Sequence, residues 1–121
     1  MRMQQMDKVL YPELSYKVCG LCFKAHNNLG QFRSEKSYAD ALEEVFKRNN
    51  LNYKRETALP VSFDGEIARR NIPDFFIDDK IILDIKANRI VTKEDYFQMK
   101  RYLVVSDKKL GLINCLFVLF V

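Results

Sequence analysis

The stretch that most constrains this chain runs from Ile72 to Ala87 and reads I-P-D-F-F-I-D-D-K-I-I-L-D-I-K-A. Phe75–Ile77 and Ile81–Ile85 are β-branched and aromatic runs, and Asp78-Asp79-Lys80 between them is turn-forming, so the stretch predicts a β-hairpin. A three-residue loop pairs Ile77 with Ile81, Phe75 with Leu83 and Asp74 with Asp84. Side chains alternate faces along a strand, which puts Lys86 on the face of Asp84. A two-residue loop would pair Asp74 with Leu83 instead and weaken the opposition of the two acids.

Opposed Cβ atoms in a sheet lie about 5 Å apart, and like charges there are destabilising. Two carboxylates held that close in a partly apolar setting share a proton or share a cation. A hard divalent ion suits them, because Mg²⁺ takes oxygen ligands at about 2.1 Å and rests on one or two carboxylates plus water. A lysine on the same face can stabilise anionic charge or help a metal-bound water lose its proton. The plainer alternative is a salt-bridged hairpin in which Lys86 neutralises Asp84. Local spacing does not choose between them.

The rest of the chain bounds the possibilities. At 121 residues it is the size of one domain, spanning 1–121 with residues 1–11 frayed. With 48% hydrophobic and 30% charged residues it can bury a core, which argues against disorder. The net charge of +4 suits a polyanionic partner without requiring one, since its lysines and arginines are scattered. Cys19, Cys22 and Cys115 make no disulfide framework; Cys19-x-x-Cys22 lies in a helical pattern with no second pair, so small core residues are expected there. The N-terminus has no apolar signal core, and no run approaches the ~20 apolar residues of a membrane span. These features point to a cytoplasmic protein with no membrane partner.

From Pro12, the residues Leu14, Val18, Leu21, Ala25 and Leu29 form a helical stripe closed by Gly30. The single histidine, His26, is read as a packing or capping residue. Ser34 is the expected N-cap of a second helix, with Tyr38, Leu42, Val45 and Phe46 buried and Asn49-Asn50 ending it. Glu35 in its first turn either complements the helix dipole or points toward the strand site as a further ligand. Leu51–Glu56 and Leu59–Phe63 then read as one interrupted strand, Asp64-Gly65 as a hairpin turn, and Ile67–Ile72 as the returning strand. Asn88–Val91 is a short loop. Thr92 and Asp95 predict a capping box, with Tyr96, Met99, Leu103 and Val104 facing the core of the helix that follows. Gln98 and Tyr102 share a helix face and suit recognition of a backbone or base, or orientation of a catalytic water; a polar flank is the competing assignment. Leu110–Phe117 is the final strand, apolar on both faces.

Taken in order, Pro73-Asp74, Asp84-Ile85-Lys86 and Gln98-Met99-Lys100-Arg101-Tyr102 resemble the PD-(D/E)XK nuclease superfamily and the QxxxY motif of its RecB-type members. Gly30 through Tyr38 has the G-x4-E-x2-Y spacing of the small prokaryotic GxxExxY proteins of that superfamily. The resemblance implies an α/β (α+β) domain with a restriction-endonuclease-like core, a mixed central sheet flanked by helices. It further implies a metal-dependent nuclease that hydrolyses phosphodiester bonds, with DNA rather than RNA the expected substrate. Asp74, Asp84 and the main-chain carbonyl of Ile85 would bind Mg²⁺ or Mn²⁺, and Glu35 would complete the acidic cluster. Lys86 would position or activate the attacking water, and Gln98 and Tyr102 would support the site or contact the nucleic acid. A catalytically silent nucleic-acid-binding or regulatory module with this fold is the alternative. Relatives commonly carry Glu where Asp84 stands. They also continue past the final strand, whereas this chain runs into C-L-F-V-L-F-V. That apolar tail would complete a strand, reflect a truncation, or bring copies together as a homo-oligomer.

Overall fold

The first half of the chain is helical wherever its apolar residues recur every three or four positions. In the computed structural model, which describes residues 11–29, 34–67, 69–86, 90–115 and 119–120, helix α1 spans Pro12–Leu29 and helix α2 spans Glu35–Arg48. Ser34 caps α2 as expected, its side chain accepting from the Ser37 amide at 3.1 Å, and Asn49 closes it. The predicted face of α2 is buried, with Ala39 added. On α1, Val18, Leu21 and Ala25 are buried beside Cys19 and Cys22, which are both free thiols. Burial pushes the Cys22 thiol up, and its carbonyl accepts the Tyr38 hydroxyl at 2.8 Å. Residues 1–10 of the expected frayed start, the Gly30 cap and its loop, and the first half of the loop after the hairpin lie outside the described residues. So do residues 116–118 and 121 of the apolar tail.

A five-stranded mixed sheet follows, ordered β1-β2-β3-β4-β5. Its strands are β1 Tyr53–Arg55, β2 Phe75–Ile77, β3 Ile81–Lys86, β4 Leu110–Cys115 and β5 Leu119–Phe120. Helix α3, Lys93–Ser106, connects β3 to its parallel neighbour β4, and the other neighbours pair antiparallel. The hairpin turn uses Asp78 and Asp79 at φ of 51° and 55°, with the Lys80 amide donating to the Ile77 carbonyl at 2.9 Å. Consecutive positive φ values match the twist of the flanking strands, and aspartate tolerates them better than most residues. The resulting register is Ile77 with Ile81 and Phe75 with Leu83, that of the three-residue loop.

Alternation divides the sheet between two apolar layers. Phe75, Ile77, Ile81, Leu83, Ile85 and Leu112 pack against α1 and α2. Phe76, Ile82 and Ile113 pack against Met99 and Tyr102 of α3 and against Leu59. Gly111 on β4 permits the close seat of α3, because a Cβ there would collide with the Met99 thioether.

Two expectations are corrected. Among the described residues Leu59–Phe63 and Ile67–Ile72 form no strand: β1 pairs directly with β2, and the residues between them form a long excursion. The Asp64-Gly65 turn is present, with Gly65 at φ 94° and the Glu66 amide donating to the Phe63 carbonyl at 3.1 Å. Side chains join the Leu59-to-Asn71 backbone bond in satisfying the surrounding backbone: Glu66 accepts the Ser62 amide and Asn71 donates to the Pro60 carbonyl. The second correction concerns α3, where Tyr96 and Val104 are exposed and Tyr102 is buried. The helix is rotated so that the flank carrying Asp95 and Gln98 reaches Lys86.

The aromatic group Phe46, Tyr53 and Phe75, with centroids 5.2–5.9 Å apart, joins α2 to β1 and β2. Phe46→Ala is expected to lower stability by about 3–5 kcal/mol, the usual cost of emptying a fully buried ring site. Urea denaturation measures this, and a loss under 1 kcal/mol would show that the site collapses around the smaller residue.

Candidate active site

The register that pairs Phe75 with Leu83 brings Asp74 opposite Asp84, just beyond the last ladder pair. Both acids lie on the α3 side of the sheet, where alternation puts Phe76, Ile82 and Lys86. The two are interlocked through the backbone. Asp84 Oδ1 accepts the Asp74 amide at 3.2 Å, and Asp74 Oδ2 accepts the Ile85 amide at 2.7 Å. A strand residue directs its N–H and C=O to the same flank, so the Ile85 carbonyl also faces the Asp74 side. Continuing the antiparallel count would set Pro73 against Ile85, and proline has no N–H to give that carbonyl.

Lys86 completes one side. Its Nζ lies 3.1 Å from Asp84 Oδ2, 3.9 Å from Asp95 Oδ1 and 2.6 Å from Gln98 Oε1, to which it donates. Burial works against its charge, but Asp84, with smaller contributions from Asp95 and Asp74, holds its pKa above the ordinary lysine value. Lys86 is therefore a fixed ammonium. The Asp74 carboxyl is pushed up to about 8, first by burial and then by the charge of Asp84, against the opposing Ile85 amide and Lys86. A buried acid that keeps its proton beside a second acid is a pair short of positive charge. The set of two carboxylates and a main-chain carbonyl fits a hard divalent cation.

The sequence candidates are distributed as follows. Asp74, Asp84, Lys86 and Gln98 come together. Tyr102 sits beneath them, buried, with its hydroxyl pushed up to about 12 by burial, then by the charge of Asp84, with Arg101 opposing. Glu35 is exposed at the start of α2, and α2 packs on the opposite face of the sheet. Among the described residues no group of three or more His, Cys, Asp and Glu gathers to hold a metal.

Two participants escaped the sequence argument. Asp95 closes the capping box, exchanging bonds of 3.1 Å with Thr92, and also faces Lys86. A capping signature accounts for an acid completely and hides a second role. Asn71, fully buried, accepts from Arg101 Nε at 2.8 Å and has no local pattern that distinguishes it from a turn asparagine.

A family model described as the PD-(D/E)XK nuclease superfamily matches residues 12–117. No curated protein and no solved structure matches the chain. Among the described residues no helix is long and apolar enough to cross a membrane.

The raised Asp74 pKa makes stability depend on pH. With a chelator present, the native carboxyl holds its proton to about pH 8, whereas the unfolded chain releases it near 3.8. The native state thus binds more protons between those values, and stability falls as pH rises through that window. Asp74→Asn removes this contribution. Thermal melts from pH 5 to 8 should show the wild type losing stability and the variant holding nearly level; parallel profiles would rule out the raised carboxyl.

Proposed function

The chain belongs to the PD-(D/E)XK nuclease superfamily, and from that membership we propose that it is a metal-dependent nuclease cleaving phosphodiester bonds, with DNA as substrate. The observation that carries this is the interlocked Asp74–Asp84 pair with Lys86 fixed beside it. Asp74, Asp84 and the Ile85 carbonyl would hold Mg²⁺ or Mn²⁺. The ion would supply a nucleophile at neutral pH and offset charge on the scissile phosphate.

The chain's own groups do the rest. Asp74 and Asp84 present hard oxygens where the substrate phosphate must sit. Lys86, protonated and held on Gln98, donates toward the attacking water and the phosphate oxygens rather than acting as a base. Gln98 fixes the Lys86 ammonium in place. Tyr102, being buried, acts by supporting the carboxylates from below. The spacing of Gly30, Glu35 and Tyr38 supports a place in the GxxExxY branch, and with it a reading as a single cytoplasmic domain of a prokaryote.

One observation favours the catalytically silent module: Lys86 pairs directly with Asp84, so the strand partly neutralises itself. Incubation with single- and double-stranded DNA and Mg²⁺ separates the two. The wild type should cleave, and Asp84→Ala and Lys86→Met should each lose at least about 100-fold, the scale of one positioned catalytic group. Equal trace activity in all three proteins would sink the catalytic assignment. A silent site would also bind Mg²⁺ no better than Asp74→Ala does, and faster cleavage of RNA than of DNA would overturn the substrate.

A further inference from the structure

Asp74 stands just beyond the ordered end of its strand. The β2–β3 ladder finishes at Phe75 with Leu83, and Pro73 cannot donate to extend it. On its N-terminal side lies the excursion between β1 and β2, about 20 residues without a strand of its own. A connection of that length would ordinarily hold its end loosely. Yet Asp74 must be placed within a fraction of an ångström for its carboxylate to meet the Ile85 amide. The Glu56 amide donating to the Asp74 carbonyl at 3.0 Å is one restraint.

A second restraint lies three residues back. Asn71 is buried and uses its whole amide. Its Nδ2 donates to the Pro60 carbonyl at 3.1 Å, to Ser62 Oγ at 3.2 Å and to Glu66 Oε1 at 3.1 Å. Its Oδ1 accepts from Arg101 Nε at 2.8 Å, and its own carbonyl accepts the Leu59 amide at 2.7 Å. Glu66, whose side chain is 1% exposed, accepts the Ser62 amide and pairs with Arg70 at 2.9 Å. Those bonds hold its carboxyl below the usual range, the Ser62 amide first among the causes. The excursion is therefore folded around Asn71, and Arg101 is its bond to α3.

Arg101 follows Gln98 by three residues, one turn along the same helix. Helix α3 thus holds both halves of the site: Gln98 and Asp95 fix Lys86, while Arg101 fixes Asn71 and, through the φ-locked Pro73, the approach to Asp74. We propose that Arg101, acting through Asn71, is a positioning residue that sets Asp74 against Asp84 and Ile85. The inference rests on the nuclease assignment for its purpose, but its geometry is tested separately.

The amides of Ile85 and Asp74 report on the site directly, since their acceptors are the Asp74 and Asp84 carboxylates. Hydrogen exchange is measured by NMR on the full chain as wild type, Arg101→Met and Arg101→Lys. Arg101 is only half-buried, so these variants are expected to fold. In Arg101→Met the Ile85 and Asp74 amides should exchange at least about tenfold faster while the neighbouring Leu83 amide keeps its rate; Arg101→Lys, which retains a donor, should restore part of the difference. Mn²⁺ affinity should weaken about 10-fold in Arg101→Met, as for other outer partners of ligating groups. Uniform acceleration along β3 would mean that Arg101 contributes only general stability, and unchanged Ile85 and Asp74 amides would mean that it does not reach the site; either result overturns the proposal. If the amides respond and no protein cleaves DNA, the tether stands and the nuclease assignment fails. If they do not respond and Arg101→Met cleaves like the wild type, the reverse holds.

Discussion

Two carboxylates facing each other across a hairpin, each accepting a backbone amide from the other's strand, form the constraint on which this structure turns. Neither Asp74 nor Asp84 is free to rotate toward water without abandoning an amide. The conflict between them is thereby built into the fold and met by the proton Asp74 retains, instead of being relaxed by side-chain motion. It is tolerated because the surrounding sheet is buried on both faces and its register is set by a turn that leaves no slack. A shift of one residue would send Ile82 toward the α1–α2 layer and Leu83 toward α3, unseating both apolar layers at once. The apolar packing that stabilises the sheet is therefore also what holds the acids opposed.

The two layers do different work. The α1–α2 side is a packing layer whose polar members are satisfied internally, as where Asn114 donates to the Tyr38 hydroxyl at 2.6 Å. The α3 side is thinner, and its apolar cluster gives way toward the strand ends to Lys86, Gln98 and Asp95. An ammonium there needs acceptors, and α3 supplies them from its first turns, where Asp95 is already held by the capping box. This division explains why α3 exposes Tyr96 and Val104. A rotation that buried them would withdraw Gln98 from Lys86.

What could be read from the chain follows from the range of the interactions involved. The hairpin register, the Ser34 cap and the Thr92–Asp95 box are contacts between residues close in sequence, and composition and spacing encode such contacts. The orientation of α3 differs from the expected one because an apolar stripe of Tyr96, Met99, Leu103 and Val104 looks as good as the observed face of Met99 and Tyr102; the choice is made by Lys86, on another element. In the excursion before Asp74, Leu59, Val61 and Phe63 alternate as a strand would, and the Glu56 and Leu59 amides donate to the Asp74 and Asn71 carbonyls in continuation of the β1–β2 register, but a regular ladder does not extend past β1. Asn71 and Glu66 supply hydrogen bonds in place of that ladder, and no periodicity marks a side chain that substitutes for a strand.

The same contacts tie the elements of the site to one another. The hairpin can form from local information, and once it does, Asp84, Ile85 and Lys86 are displayed on a strand whose other side is apolar. Helix α3 follows in sequence and docks by Met99 against Gly111, which brings Gln98 to Lys86. From the same helix Arg101 meets Asn71, three residues before Asp74, so α3 reaches both halves of the motif. Asp74 is also the acid whose pKa is driven up, by burial and by the charge of Asp84.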